Sequence, residues 1–156
     1  MKPLIFIALF SFCIATSYSQ QTAIDYYNNG VDKKDLQDYK GAIQDNTKAI
    51  ELDSNFVGAY YNRGIAKFKL KDTRGAINDF NKTIELDPKY VNAYFNRAFA
   101  KEALQDNRGA IEDYTKAIEI DPNYAKAYYK RGNVKGDLQD KIGAIEDYTK
   151  AIEIEP

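Results

Sequence analysis

The chain contains no histidine, no tryptophan and a single cysteine in 156 residues. Without histidine it lacks the side chain that titrates nearest neutral pH and the commonest metal ligand. The lone cysteine, Cys13, lies in the apolar run LIFIALFSFCIA from Leu4 to Ala15. A disulfide framework is therefore excluded, and removal of that run would leave no thiol. An excess of charge of one sign is also missing. Lys and Arg number 22 against 23 Asp and Glu, for a net charge of −1. That balance excludes the basic footprint of a nucleic-acid binder and a polybasic segment for anionic lipid. There is no glycine-rich phosphate loop. Catalytic residues, metal ligands and cofactor-binding residues are all expected to be absent, and the chain reads as a non-enzyme.

The apolar run Leu4–Ala15 is too short to span a bilayer comfortably. Met1-Lys2 gives a positive start, and Ser17 and Ser19 place small residues at −3 and −1 of a cut before Gln20. This three-part arrangement reads as a secretory signal over residues 1–19, followed by a short leader at 20–22. Phe10-Ser11-Phe12 does not resemble a lipoprotein cleavage box, so Cys13 is not expected to carry a lipid. The expected destination is the periplasm or the exterior, with no membrane insertion after cleavage.

What the chain does have is a 34-residue period. AYYNRGIAKFKLKDTRGAINDFNKTIELDP (Ala59 to Pro88) returns in register from Ala93 to Pro122 and from Ala127 to Pro156, with a looser copy from Asp25 to Ser54. The repeats run 23–56, 57–90, 91–124 and 125–156. Each carries two apolar-periodic segments at i, i+3, i+4, i+7 spacing, here helix A and helix B. In the second repeat Tyr60, Gly64, Ile65 and Phe68 mark one face, and Ala76, Ile77, Phe80, Thr83 and Ile84 the other. Between them Asp38, Asp72, Asp106 and Asp140 recur, placed to cap helix B. Pro88, Pro122 and Pro156 stop helix B. Neither segment can bury its face alone, so neighbouring units must stack. Gly41, Gly75, Gly109 and Gly143 near the start of helix B suggest close helix packing.

The recurring large and small residues resemble the tetratricopeptide repeat family. Position 4 is Tyr26, Tyr60, Tyr94 and Tyr128; position 8 is Gly30, Gly64, Ala98 and Gly132; position 20 is Ala42, Ala76, Ala110 and Ala144. Position 24 is Asn46, Phe80, Tyr114 and Tyr148, and position 27 is Ala49, Thr83, Ala117 and Ala151. The resemblance implies an all-α, right-handed superhelical solenoid of stacked antiparallel helix pairs over residues 23–156. Two departures stand out. Position 11, often aromatic in the family, is Lys33, Lys67, Lys101 and Lys135, and position 7, often leucine, is Asn29, Arg63, Arg97 and Arg131. Asp45, Asp79, Asp113 and Asp147 recur at position 23, and the arginines are expected to pair with them in a ladder.

In the family, helix A lines a concave face through positions 2, 5, 6, 9, 12 and 13. Carried over, the candidate partner-binding groove is Tyr27, Tyr61, Asn62, Ile65, Phe95, Asn96, Phe99, Lys126, Tyr129, Lys130 and Asn133. One reading is a slot for a protein or peptide partner, with aromatics gripping apolar side chains and lysines holding an acidic group. The other is that the position 5 aromatics only pack against neighbouring helices. A carboxylate clamp known in some members is half matched, by Asn96, Lys126 and Lys130, while Tyr61 and Ile65 occupy its first two places. The expected function is a non-catalytic protein-interaction scaffold. The alternative is a homo-oligomer stacking through the last repeat, because nothing follows Pro156 to cover Tyr148 and Ile152, whereas Asn46 makes the first repeat look better capped. Glu112 with Lys116 and Glu146 with Lys150 are expected as solvated i, i+4 pairs.

Overall fold

The computed structural model describes residues 21–156, so the signal reading at 1–19 lies outside the described residues. These residues form eight helices: α1 (Ala23–Asp35), α2 (Tyr39–Leu52), α3 (Val57–Lys69), α4 (Thr73–Leu86), α5 (Val91–Ala103), α6 (Asn107–Ile120), α7 (Ala125–Asp137) and α8 (Lys141–Ile154). Odd-numbered helices are helix A and even-numbered ones helix B. Each packs on the next in chain order, and α3 also touches α1 and α5. The result is the right-handed solenoid of antiparallel helix pairs that the resemblance implies. Its core is built from small residues, with Ala59, Ala66, Ala76, Ala93, Ala98, Ala100, Ala110, Ala117 and Ala127 fully buried around Phe80, Tyr114 and Val134. Gly64 lets the Phe80 ring lie against α3, since a Cβ there would come within 2.7 Å of Phe80 Cε1.

The turn inside each repeat is the same four times. Helix A ends in a Schellman motif: in the third repeat the Gln105 N–H donates to Glu102 O (2.9 Å) and the Asp106 N–H to Lys101 O (3.0 Å). The residue in the left-handed region is never glycine: Gln37, Lys71, Gln105 and Gln139 have φ of 62°, 69°, 63° and 66°. The next residue is the predicted aspartate cap. Asp38, Asp72, Asp106 and Asp140 each accept from the N–H of the glycine three residues on, at 2.9–3.0 Å. This corrects the expected role of those glycines. A Cβ at Gly41, Gly75, Gly109 or Gly143 would strike the cap carboxylate of its own turn. They make room chiefly for the cap; at Gly41 alone the Lys33 side chain of the neighbouring helix also lies within 2.8 Å of a Cβ.

The arginine ladder forms, and it is wider than expected. Arg97 Nε and Nη2 donate to Asp113 at 2.8 and 2.6 Å, while Nη1 donates to Asn81 Oδ1 at 2.8 Å. Arg63 does the same with Asp79 and Thr47, and Arg131 with Asp147 and Thr115. Each guanidinium thus joins helix A, its own helix B and the preceding helix B. The lysines at position 11 complete the site: Lys67, Lys101 and Lys135 reach the same aspartates at 2.8–2.9 Å. They replace an aromatic with a second cation for a buried carboxylate. Tyr60, Tyr94 and Tyr128 lie under the guanidinium of the arginine three residues on, at 5.5–5.6 Å.

Two smaller expectations are revised. Asn46 is fully buried, so it is not a polar cap; its Nδ2 donates to Ala42 O at 2.8 Å and its Oδ1 has no partner. In that repeat Asn29 leaves Asp45 without a guanidinium, and Lys33 alone approaches it, at 2.7 Å. On the outer helices Lys116 and Lys150 reach forward to Glu119 and Glu153, at 2.6 and 3.0 Å, and not back to Glu112 and Glu146. Exposed pairs of this kind contribute little stability.

Candidate functional site

The four position 5 aromatics do not share one environment. Tyr27 lies against Phe56 (ring centroids 4.8 Å apart), Tyr61 against Tyr90 (4.9 Å) and Phe95 against Tyr124 (5.1 Å). Each of these partners sits just before the next helix A, so the three pairs are packing contacts between repeats. Tyr61 and Phe95 also touch helix B, at Phe80 and Tyr114. Tyr129 has only its helix B neighbour, Tyr148 at 5.9 Å, and stays 54% exposed. The polar candidates are similarly divided. Asn62 is buried and accepts from Lys34 Nζ at 3.5 Å, Asn96 donates to the Tyr61 hydroxyl at 2.8 Å, and Asn133 accepts from the Tyr148 hydroxyl at 2.9 Å.

A second set of side chains crosses three repeats. The Phe68 and Phe99 rings are 5.4 Å apart, and Lys130 Nζ stands 4.4 Å over the Phe99 ring. Ile65, Phe68, Lys69, Phe80, Asn96 and Phe99 line a cavity of about 120 Å³ between α3 and α5. Phe99 remains 36% exposed. The strip is an apolar notch with two cations beside it, Lys69 in its lining and Lys130 over the Phe99 ring. Sequence reasoning found Ile65, Asn96, Phe99 and Lys130 but missed Phe68 and Lys69. The signal was present, because both stand at helix A positions 12 and 13, which the family turns inward. The half-clamp is weaker in space than on paper. Asn96 and Lys130 already have the intramolecular contacts described above, which leaves Lys126 as its open member.

The third opening lies at the last repeat. A recess of about 670 Å³ is lined by Lys126, Tyr129, Asn133, Tyr148, Ala151 and Ile152, with Ala125 and Glu155 at its edges. Ile152 is 65% exposed there. The Tyr61 and Tyr114 phenols are held well above the usual tyrosine range, chiefly by burial. Tyr114 donates to Glu102 at 2.6 Å, which raises it further. These phenols serve as neutral hydrogen-bonding groups. Among the described residues no group of three or more His, Cys, Asp or Glu side chains is placed to hold a metal ion. No described helix is long and apolar enough to cross a membrane.

Comparison with known proteins agrees with this architecture. A TPR repeat profile matches residues 33–71 and 103–139, and two tetratricopeptide repeat profiles match 57–90 and 125–156. No curated protein sequence matches at a significant level. Among solved structures, MamA superposes with a TM-score of 0.84 at 27% identity, over 86% of this chain and 79% of that one. MamA from Desulfovibrio magneticus RS-1 gives 0.81 at 25% identity, over 87% and 77%. The first TPR of Spaghetti (RPAP3), bound to the HSP90 peptide SRMEEVD, gives 0.74 at 29% identity, over 78% and 96%. With these profiles spread along all four helix pairs, the chain belongs to the tetratricopeptide repeat family.

Proposed function

We propose that this protein is a non-catalytic scaffold that holds a peptide or protein segment on its helix A face. The observation that carries the reading is the strip Ile65–Phe68–Phe99–Lys130, which leaves a notch open to solvent while the neighbouring aromatics are spent on packing. Its chemistry suits a segment that seats one apolar side chain in the notch and sets acidic groups beside Lys69 and Lys130. Large apolar anchors in such pockets dominate binding energy. The Spaghetti (RPAP3) repeat domain, solved bound to an HSP90 peptide, supports a peptide as the kind of ligand. The signal-like start at residues 1–19 supports an encounter outside the cytoplasm.

An array of random peptides probed with the purified chain tests this. Selected peptides should share an apolar residue flanked by Asp or Glu. Phe99→Asp should weaken them by about tenfold or more, some 1.4 kcal/mol. Peptides with no shared pattern, or binding indifferent to Phe99→Asp, would refute it. A second reading is assembly of copies through the last repeat, favoured by the recess at Tyr129 and Ile152. A sedimentation mass that rises with concentration would support it.

A further inference from the structure

The ladder that runs through the repeats has one incomplete rung, and the complete rungs show what fits it. In the second, third and fourth repeats a tyrosine, an arginine and an aspartate recur as Tyr60–Arg63–Asp79, Tyr94–Arg97–Asp113 and Tyr128–Arg131–Asp147. In each, Nε and Nη2 of the guanidinium donate to the two carboxylate oxygens at 2.6–2.9 Å. The same group lies over the tyrosine ring at 5.5–5.6 Å. The first repeat keeps Tyr26 and Asp45 but has Asn29 at the place of the arginine. Its carboxylate retains one cation, Lys33, which meets Oδ2 at 2.7 Å.

The difference is local to the repeat. The Asp45 side chain is 13% exposed, against 4–5% for Asp79, Asp113 and Asp147. Asn29 itself is exposed. The face on which the rung opens is accessible even in a repeat with neighbours on both sides. In the third repeat Tyr94, Arg97 and Asp113 line an open recess of about 530 Å³, together with Ile111, Glu112 and Lys116. Tyr26, Asn29 and Asp45 stand at the same three places two repeats earlier. Access to Asp45 therefore follows from the residue at position 7, not from what lies beyond α1.

We propose that Tyr26, Asn29 and Asp45 form a binding site for an arginine side chain of another polypeptide. Its guanidinium takes the place that Arg63, Arg97 and Arg131 take in their own repeats, flat on the tyrosine ring and donating to the aspartate. The chemistry selects arginine over lysine. A guanidinium offers parallel N–H donors to a carboxylate and a planar face to a ring, whereas an ammonium is a compact point charge. Lys33 already supplies an ammonium. A largely buried carboxylate with too little compensating charge is unfavourable, so the second cation stabilises the complex. Arg74 and Arg108 are exposed, so a second copy of this chain can supply the group, as can a different protein. The site shares no residue with the notch at Phe99, and its occupancy is independent of the peptide reading above.

The test adds N-acetyl-arginine amide to the isotope-labelled full chain and follows amide shifts by NMR, with N-acetyl-lysine amide at equal ionic strength as the control. The expected result is saturable shifts centred on Tyr26, Asn29 and Asp45, with binding weaker for the lysine amide. Asp45→Asn should weaken the arginine amide about tenfold or more. Asn29→Arg supplies the guanidinium from within, as the other repeats do, so it should abolish the shifts and raise the melting temperature. Phe99→Asp should leave the shifts unchanged. Sedimentation then separates the sources. A mass that rises with concentration and reverts to monomer in Asn29→Arg assigns the site to a second copy, and a constant monomer mass assigns it to a different protein. Absence of saturable shifts, equal binding of the two amides, or shifts that persist in Asn29→Arg would overturn the proposal.

Discussion

Arg97 shows how much one side chain can hold in this fold. Its guanidinium spans α4, α5 and α6, and it neutralises Asp113, which is buried on α6. Arg97→Leu would leave that carboxylate with Lys101 alone, and we expect a loss of about 2–3 kcal/mol, the scale of hydrogen bonds to a buried charge. An unchanged denaturation midpoint would contradict this. The same site in the last repeat gives a pH signature. Burial pushes the Asp147 carboxyl up, but the bonds from Arg131 and Lys135 outweigh it and hold it below the usual carboxylate value. Its contribution is therefore whole above the unfolded carboxylate value of about 4 and is lost as pH falls through the lowered native value. Asp147→Asn should flatten the acid limb of melting temperature against pH; parallel limbs for the two proteins would argue against the account. The pairing of arginine with aspartate was legible from their fixed offset of sixteen residues. The lysine at position 11 was not, because only the fold brings it to a carboxylate that already has a partner.

At the scale of the element, the turn between helix A and helix B repeats one unfavourable choice four times. Gln37, Lys71, Gln105 and Gln139 hold a left-handed backbone that glycine adopts without penalty. Gln105→Gly should stabilise the protein by about 0.5–1 kcal/mol, the penalty relieved less the entropy glycine adds to the unfolded chain. A fall in melting temperature would show that the Gln105 side chain has a role of its own. One residue on, Asp106→Ala removes a helix cap and should cost about 1 kcal/mol. Gly109→Ala should destabilise as well, although alanine is the better helix former, because its Cβ would displace the cap carboxylate. The cap aspartates were readable because the residue type suits the job. The glutamines were not, because nothing in a glutamine announces a left-handed backbone. The glycines were noticed, but their purpose depended on a carboxylate position that only the folded turn fixes.

For the whole molecule, the 34-residue period carried the architecture, since each unit can bury its apolar face only against the next. The candidate binding face was less legible. Periodicity put Tyr27, Tyr61, Phe95 and Tyr129 in one class, yet three of them meet an aromatic from the following repeat and one does not. Which residues remain open depends on neighbours thirty residues away, and so Phe68 and Lys69 emerged only once α3 and α5 were set side by side. The central claim is that the strip through Phe99 is the working surface. The most direct test replaces Phe99 with a photoreactive phenylalanine analogue in cells that make the full chain, and compares it with the same replacement at exposed Asn78 on α4. The account predicts a discrete cross-linked partner from position 99 that is absent from position 78. The same adducts from both positions, or none from position 99, would contradict it.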